Sequence, residues 1–351
     1  MKKIALLLPV ALLLTALPCA APGPLTPSGP PAPTMKTLEQ IEPRTPISSA
    51  GYEIAQSGSY YLTSNLTDIA GEDGITVNAD DVTIDLNGFT LTGSGATSGH
   101  GIFQAYTLRN LRVHNGKVVQ WRGASKGGVY ALGKNNQIDH IQAATNWHGI
   151  YTGNGATISD CSAYNNTDHG IYTGNGSTIS DCSARYNGDD GIRAYAGCTI
   201  SGCTAYKNSD EGIQAGYGST ISDCSARYNT GVGIFAGEGS TISGCTGSYN
   251  TGDGIQASDD TQITGNTCDS NGQGDGAGIH VTGYDNRIDS NNVTDNDRGI
   301  DVDNSGNLII RNSASGNGSN YVIVGGNHDA QVISSPGTGF VSTNPWANFS
   351  F

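Results

Sequence analysis

Residues 149–169 read GIYTGNGATISDCSAYNNTDH and residues 170–190 read GIYTGNGSTISDCSARYNGDD. The same 21-residue sentence returns as GIRAYAGCTISGCTAYKNSDE at 191–211, GIQAGYGSTISDCSARYNTGV at 212–232 and GIFAGEGSTISGCTGSYNTGD at 233–253. A sixth copy opens at Gly254. So strict a period is the mark of stacked units, each burying its apolar face only against its neighbours.

Aligned, the copies form columns. The second position is always Ile (Ile150, Ile171, Ile192, Ile213, Ile234, Ile255), and a second Ile follows inside Thr-Ile-Ser at Ile158, Ile179, Ile200, Ile221 and Ile242, and inside Gln-Ile-Thr at Ile263. Next comes a Cys column, Cys161, Cys182, Cys203, Cys224 and Cys245, then an Asn column, Asn166, Asn187, Asn208, Asn229, Asn250 and Asn271. Short β-branched segments alternating with period two, separated by turns such as Gly153-Asn154-Gly155, are strands, and no helix-length apolar period is present. Three short strands per coil make an all-β fold, a right-handed parallel β-helix with like residues stacked about 4.8 Å apart. Leucine-rich repeats require Leu in these columns, and hexapeptide solenoids a period divisible by six. An Asn at one turn of every coil hydrogen-bonds to the copies above and below, satisfying buried turn backbone.

The flanks depart from this rhythm. Residues 1–20 carry Lys2 and Lys3, an apolar run from Ile4 to Leu17 and small residues at the end, the pattern of a signal peptide. Cys19 stands where a lipid anchor would attach, but Pro18 before it fits such a site poorly. Residues 21–45 are a Pro-rich linker. The β-helix domain is expected over 46–351: an N-terminal cap at 46–73, coils over 74–320 and a C-terminal cap at 321–351, with roughly 11–12 coils and a length of about 50 Å. The early coils open at Gly74, Gly101 and Gly128, farther apart than the later ones. Extra turn residues of this kind usually build one face of a solenoid.

Seventeen Lys and Arg stand against thirty-one Asp and Glu, for a formal net charge of −14, which becomes −16 once the leader with Lys2 and Lys3 is removed. That balance argues against nucleic acid and anionic membranes as partners. Nothing after residue 20 is long and apolar enough to cross a membrane, so an extracellular or cell-surface location follows from the leader. The stacked cysteines read as small buried hydrophobes. In-register parallel side chains point the same way and suit disulfide geometry poorly, although an oxidising compartment leaves one or two pairs open.

The Gly-Ile coils, the Asn column, the opening Thr45-Pro46-Ile47-Ser48-Ser49 with Gly58-Ser59-Tyr60-Tyr61-Leu62, and Ile84-Asp85-Leu86-Asn87-Gly88-Phe89 together resemble secreted bacterial right-handed β-helix proteins of pectate-lyase-like architecture. The resemblance covers the chain from about Pro43. It implies fold far more than activity, because this architecture carries lyases, glycoside hydrolases, epimerases and plain binding rods. It also places the active groove on the face that carries the third residue of each Gly-Ile strand.

Two columns on that side stand out. Before each Gly lie Trp147-His148, Asp168-His169, Asp189-Asp190 and Asp210-Glu211, and two residues after each Gly come Tyr130, Tyr151, Tyr172, Arg193 and, farther on, Phe235 and His280. If Ile is inward, the second column is outward, and a row of Tyr130, Tyr151, Tyr172 and Phe235 suits stacking against sugar rings. The plainer alternative for that row is cross-strand ladder pairing. Stacked carboxylates repel by about 1 kcal/mol per pair in water. Ca²⁺ held by Asp168, Asp189, Asp210 and Glu211 would offset this, as would a shared proton or the nearby His169 and Arg193. The plainer alternative is that these acids are solvated turn residues. No other cofactor is indicated.

The catalytic candidates are Arg193, Asp189, Asp190 and His169. A lyase of this architecture would be built from Arg193 or Lys207 as base with acids holding Ca²⁺, but no long lyase-type signature surrounds Arg193. A polygalacturonase-like hydrolase pattern fails too, since His169-Gly170 precedes Asp189-Asp190 and Gly191-Ile192-Arg193 lacks the following Lys. Two functions therefore remain. One is a secreted β-helix that binds an extracellular polysaccharide along the exposed sheet and, in its catalytic form, cleaves it as a lyase or glycoside hydrolase. The other is a non-catalytic structural or adhesion rod, which the regularity of the repeats favours.

Overall fold

The computed structural model describes residues 43–67, 71–334 and 342–351. The expected signal peptide and most of the linker lie outside them. From Arg44 onward the chain forms one unit built from two parallel sheets, one of 13 strands and one of 26.

Each coil contributes one strand to the first sheet and two to the second. In one coil these are Ile171–Thr173, Thr178–Ser180 and Ser183–Arg185, joined by tight corners. Register is strict: Ile171 pairs with Ile192, Ile179 with Ile200 and Ala184 with Ala205. The interior is therefore made of columns, with Ile150 through Ile300 in one and Ile158 through Ile309 in another, fully buried. The 13 strands exceed the sequence expectation by one coil. Tyr52–Ile54 pairs with Ile75–Val77 and puts Tyr52 where later coils have Ile, so this coil lacks the Gly-Ile opening. At the other end Asn348–Ser350 pairs with both Ser313–Ser315 and Val332–Ser334 and closes the last coil.

The corners explain the small and polar residues of the repeat. Gly155, Asp160 and Asn165 have φ of 68°, 54° and 54°, so one coil bends three times through the left-handed region, which Gly, Asn and Asp enter most easily. In the coils after Asn165 the third corner is held by Tyr186, Lys207, Tyr228 and Tyr249, with φ between 52° and 59°. These costlier residues are braced by contact: the Tyr228 and Tyr249 rings stack at 4.9 Å, and Lys207 Nζ lies 5.4 Å from the Tyr206 ring. Arg185 lies over Tyr164 at 4.7 Å, beginning the same ribbon of rings and cations.

The Asn column is a continuous ladder. Nδ2 of Asn166, Asn187, Asn208, Asn229, Asn250, Asn271 and Asn296 donates in each case to Oδ1 of the Asn one coil on, at 2.9–3.0 Å. A second ladder, absent from the repeat's first copies, runs Asn266, Asn291, Asn312 and Asn348. The opening Gly is fixed by this ladder. A Cβ on Gly233 would stand 2.5 Å from Nδ2 of Asn250 and 2.6 Å from the carbonyl oxygen of Gly254. The seven described cysteines are all free and buried.

Candidate functional site

The outward residue of each Gly-Ile strand is placed by register. Phe103, Tyr130, Tyr151 and Tyr172 are successive partners, with ring centroids 6.5, 4.7 and 4.1 Å apart. The last two rings lie 11° from parallel. Tyr195 meets Tyr172 edge-on at 5.6 Å. Ring faces are thus turned toward each other along the helix axis, and the row presents edges and hydroxyls outward. Burial, then hydrogen bonding to Tyr195 and Tyr151, raises the Tyr172 hydroxyl above the ordinary range. The row continues through Arg193, Gln214, Phe235 and Gln256. Phe235 therefore shares the face, but stands between two glutamines and apart from the stacked rings.

Beside this row runs the corner column. His100 lies against Phe103 and Tyr130 at 5.0 and 4.2 Å. Its Nδ1 accepts from the Gly127 N–H at 3.1 Å, and burial holds its pKa down to about 3. His148, His169, Asp190 and Glu211 then follow on successive coils. Asp168 Oδ1 lies 3.4 Å from both His148 Nδ1 and His169 Nε2. His169 Nδ1 is 3.5 Å from Asp190 Oδ2 and 3.7 Å from Asp189 Oδ1. Burial lowers both imidazole pKa values, against the pull of Asp168.

Asp190 is fully buried. Its Oδ1 accepts from the Glu211 N–H at 3.2 Å, and its Oδ2 accepts from Arg193 Nη1 at 3.4 Å. Burial, reinforced by Glu211 and Asp189, pushes its pKa up to about 8, so near neutrality the carboxyl is largely protonated. Desolvation and the Glu211 charge raise Asp210 to about 6. The four catalytic candidates, His169, Asp189, Asp190 and Arg193, thus share one corner. Of the acids expected to hold Ca²⁺, Asp168, Asp189 and Asp210 fall into two overlapping groups, and Glu211 falls into neither. Asp168 joins His169 and Asp189, while Asp189 joins Asp190 and Asp210, with donor atoms within 4.8 Å in each.

A family model described as "Right handed beta helix region" matches residues 68–220 and again 173–315. The chain belongs to this right-handed β-helix family. No curated protein matches it by sequence. Among solved structures it is similar to the A-module of Azotobacter vinelandii mannuronan C-5 epimerase AlgE4, with a TM-score of 0.58 and 16% identity over 78% of this chain and 91% of that one. The AlgE6 A-module of the same organism gives 0.56 and 15% identity over 84% and 90%. A variant of the periplasmic alginate epimerase AlgG gives 0.55 and 13% over 80% and 76%. At such identities the likeness is one of fold.

Farther along the same sheet this β-helix carries a second cluster. His280 follows Gln256 in the outward row, and its Nδ1 and Nε2 lie 2.9 Å from Asp253 Oδ2 and 3.0 Å from Asp303 Oδ2. The Asp253 hydrogen bond, with Asp303, raises its pKa to about 9 against the cost of burial, so it is an imidazolium at neutral pH. Arg298 beside it lies 2.7 Å from Asp301 and 2.8 Å from Asp275. Sequence reasoning placed His280 in the outward column but missed the bracket. The signal was there: aligning Gly254 with Gly278 across the longer coil sets Asp253 beside Ala277, in the corner column that flanks the outward column of His280.

Among the described residues no helix is long and apolar enough to cross a membrane.

Proposed function

We propose that this β-helix binds an extracellular polysaccharide along its 13-stranded sheet, across Tyr130, Tyr151 and Tyr172 and onto the corner formed by His169, Asp189, Asp190 and Arg193. The observation that carries the reading is the row of stacked tyrosines running directly into Arg193, whose guanidinium bonds the buried Asp190. Rings and hydroxyls suit the apolar edges and hydroxyls of sugars, while an arginine beside a neutral carboxyl suits a sugar carboxylate. The AlgE4 and AlgE6 modules are named as epimerases of mannuronan and AlgG as an epimerase of alginate, so uronate polysaccharides are the first to test. In the catalytic form of this reading, Arg193 holds the uronate carboxylate.

Affinity electrophoresis against uronate and neutral polysaccharides tests the binding, with new unsaturated ends and new reducing ends followed separately. Retardation by a uronate polymer is expected, and it should be lost in Tyr151→Ala/Tyr172→Ala and in Arg193→Ala. A folded parent protein that no polymer retards would discard the reading in favour of the non-catalytic rod. That second reading draws its support from the unbroken columns of residues 149–257 and from ring faces already satisfied by one another.

A further inference from the structure

We infer that the ribbon of rings and cations from Tyr164 to Tyr249 is a second glycan site, which holds a linear uronate chain against the outer face of the 26-stranded sheet. It occupies two columns. Tyr164, Arg185, Tyr206 and Arg227 are successive register partners on the third strand of each coil. Tyr186, Lys207, Tyr228 and Tyr249 hold the corner that follows. Each coil from Arg185 to Tyr228 thus offers one cation and one ring.

The unused donors of two arginines point to an anion. Neither the Arg185 nor the Arg227 guanidinium has a carboxylate or hydrogen-bond partner among the described residues. Every other described arginine bonds a carboxylate or, for Arg122, a backbone carbonyl. In a chain of net charge −14 acids are not scarce, so the absence is local. Neither column carries a carboxylate between Tyr164 and Tyr249. Asp160, Asp181 and Asp223 hold the corner before this strand, and Asp168, Asp189 and Asp210 lie in the turn after it. Salt screens exposed charges over about 8 Å, so the strip acts as a cationic track between two acidic banks.

The rings brace the cations without using up their donors. Arg185 lies over Tyr164 at 4.7 Å, and Arg227 lies beside Tyr228 and Tyr249 at 5.8 and 5.7 Å. A guanidinium stacked in this way keeps its planar fork of N–H groups open to grip a carboxylate through two bonds. Lys207 Nζ stands 5.4–6.0 Å from the rings of Tyr206, Tyr228 and Tyr186. Tyr186, Tyr228 and Tyr249 are all exposed, and offer ring surface to sugar C–H groups. The spacing suits a regular chain. The cations advance one coil at a time, about 4.8 Å, close to the advance of one sugar in an extended 1,4-linked chain. They also alternate between the two columns, as the carboxylates of a twofold uronate chain alternate between its sides.

This site rests on the uronate reading above only for the choice of sugar. Exposed ion pairs are weak one by one, so the ribbon alone does not retard the protein in a gel, and a local probe at high ligand concentration is required. Acetylation of Lys207, followed by peptide mass spectrometry, supplies it. With mannuronate oligomers in excess Lys207 should react several-fold more slowly, while the exposed Lys134 reacts at its usual rate. Protection should persist in Tyr151→Ala/Tyr172→Ala/Arg193→Ala, disappear in Arg185→Gln/Arg227→Gln and fall in high salt. Neutral mannan and polyglutamate should not protect.

The inference is overturned if Lys207 reacts equally with and without uronate, or if neutral mannan protects it equally. It is overturned too if polyglutamate protects as well, which would mark a site for an acidic protein, or if protection survives in Arg185→Gln/Arg227→Gln shown by circular dichroism to be folded. A ribbon that only braces its corners gives that variant a lower melting temperature and the parent no protection. An unprotected Lys207 with retardation lost in Arg193→Ala discards this site alone. A protected Lys207 with retardation unchanged in Arg193→Ala discards the sheet reading alone.

Discussion

Asn187 and Asn208, which are 21 residues apart, share a side-chain hydrogen bond of 2.9 Å, Nδ2 of the first donating to Oδ1 of the second. The same oxygen accepts from the Asn187 backbone N–H at 3.2 Å, while Asn208 Nδ2 donates to the Ala184 carbonyl at 3.3 Å and to Asn229 Oδ1 at 2.9 Å. Asn208→Leu therefore leaves several buried groups unpaired at once. A destabilisation of about 1–3 kcal/mol or more is expected in urea denaturation. Asn154 is exposed, and its Oδ1 accepts from the Asn175 N–H, so Asn154→Ala should cost much less. Equal losses for the two variants would undo the ladder argument.

Two glycines in one coil should behave oppositely. Gly233 has no room for a Cβ against Asn250 and Gly254, so Gly233→Ala must push the ladder aside. Gly239 has a φ of 66° and open space around its Cβ position. Asp260 and Asp285 hold the equivalent corner in later coils at 52° and 56°. Gly239→Asn should therefore shift the thermal midpoint little and Gly233→Ala by several degrees. The reverse order would contradict the packing described.

The thiol column should be inert while folded. Hydrogen bonding along the column, together with burial, pushes Cys203 and Cys224 up to about 12, far from thiolate at neutral pH. A thiol reagent should find none of the seven described cysteines in the native protein and all of them in denaturant without reductant. Rapid labelling of folded protein, or fewer free thiols after unfolding, would show that the column is exposed or bridged.

His280 should make stability depend on alkaline pH. Its folded pKa of about 9 lies above the ordinary 6.5, so its contribution is complete below the unfolded pKa and is lost as pH rises through 9. The groups facing it are Asp253, Asp303, Asp301 and Arg298. Denaturation at about pH 6 and about pH 10 should show the parent losing more stability than His280→Gln between the two. Parallel losses in parent and variant would mean that His280 is not the group titrating.

What could be read from sequence followed the period. The Ile, Cys and Asn columns repeat at constant spacing, so their inward direction and their stacking were legible, as was the gathering of His169, Asp189, Asp190 and Arg193 at one corner. The coil at Tyr52 was hidden because its opening lacks Ile. The ring planes were hidden for another reason: alternation says that Tyr151 points outward, but not that Tyr172, 4.1 Å away, covers its face.

The identical coils raise a question of counting. Between Gly149 and Asp253 the Ile and Asn columns are the same in every coil, so a pairing displaced by one whole coil would meet Ile with Ile and Asn with Asn. Correct pairing must then be set from the ends, where the wider coils around the fully buried Trp121 and the longer coil around Gly272, Gly274 and Gly276 have no duplicate. The middle of the molecule is interchangeable stock: excision of residues 212–232 would join Glu211 to Gly233 and leave the ladder from Asn166 to Asn296 continuous, one rung shorter.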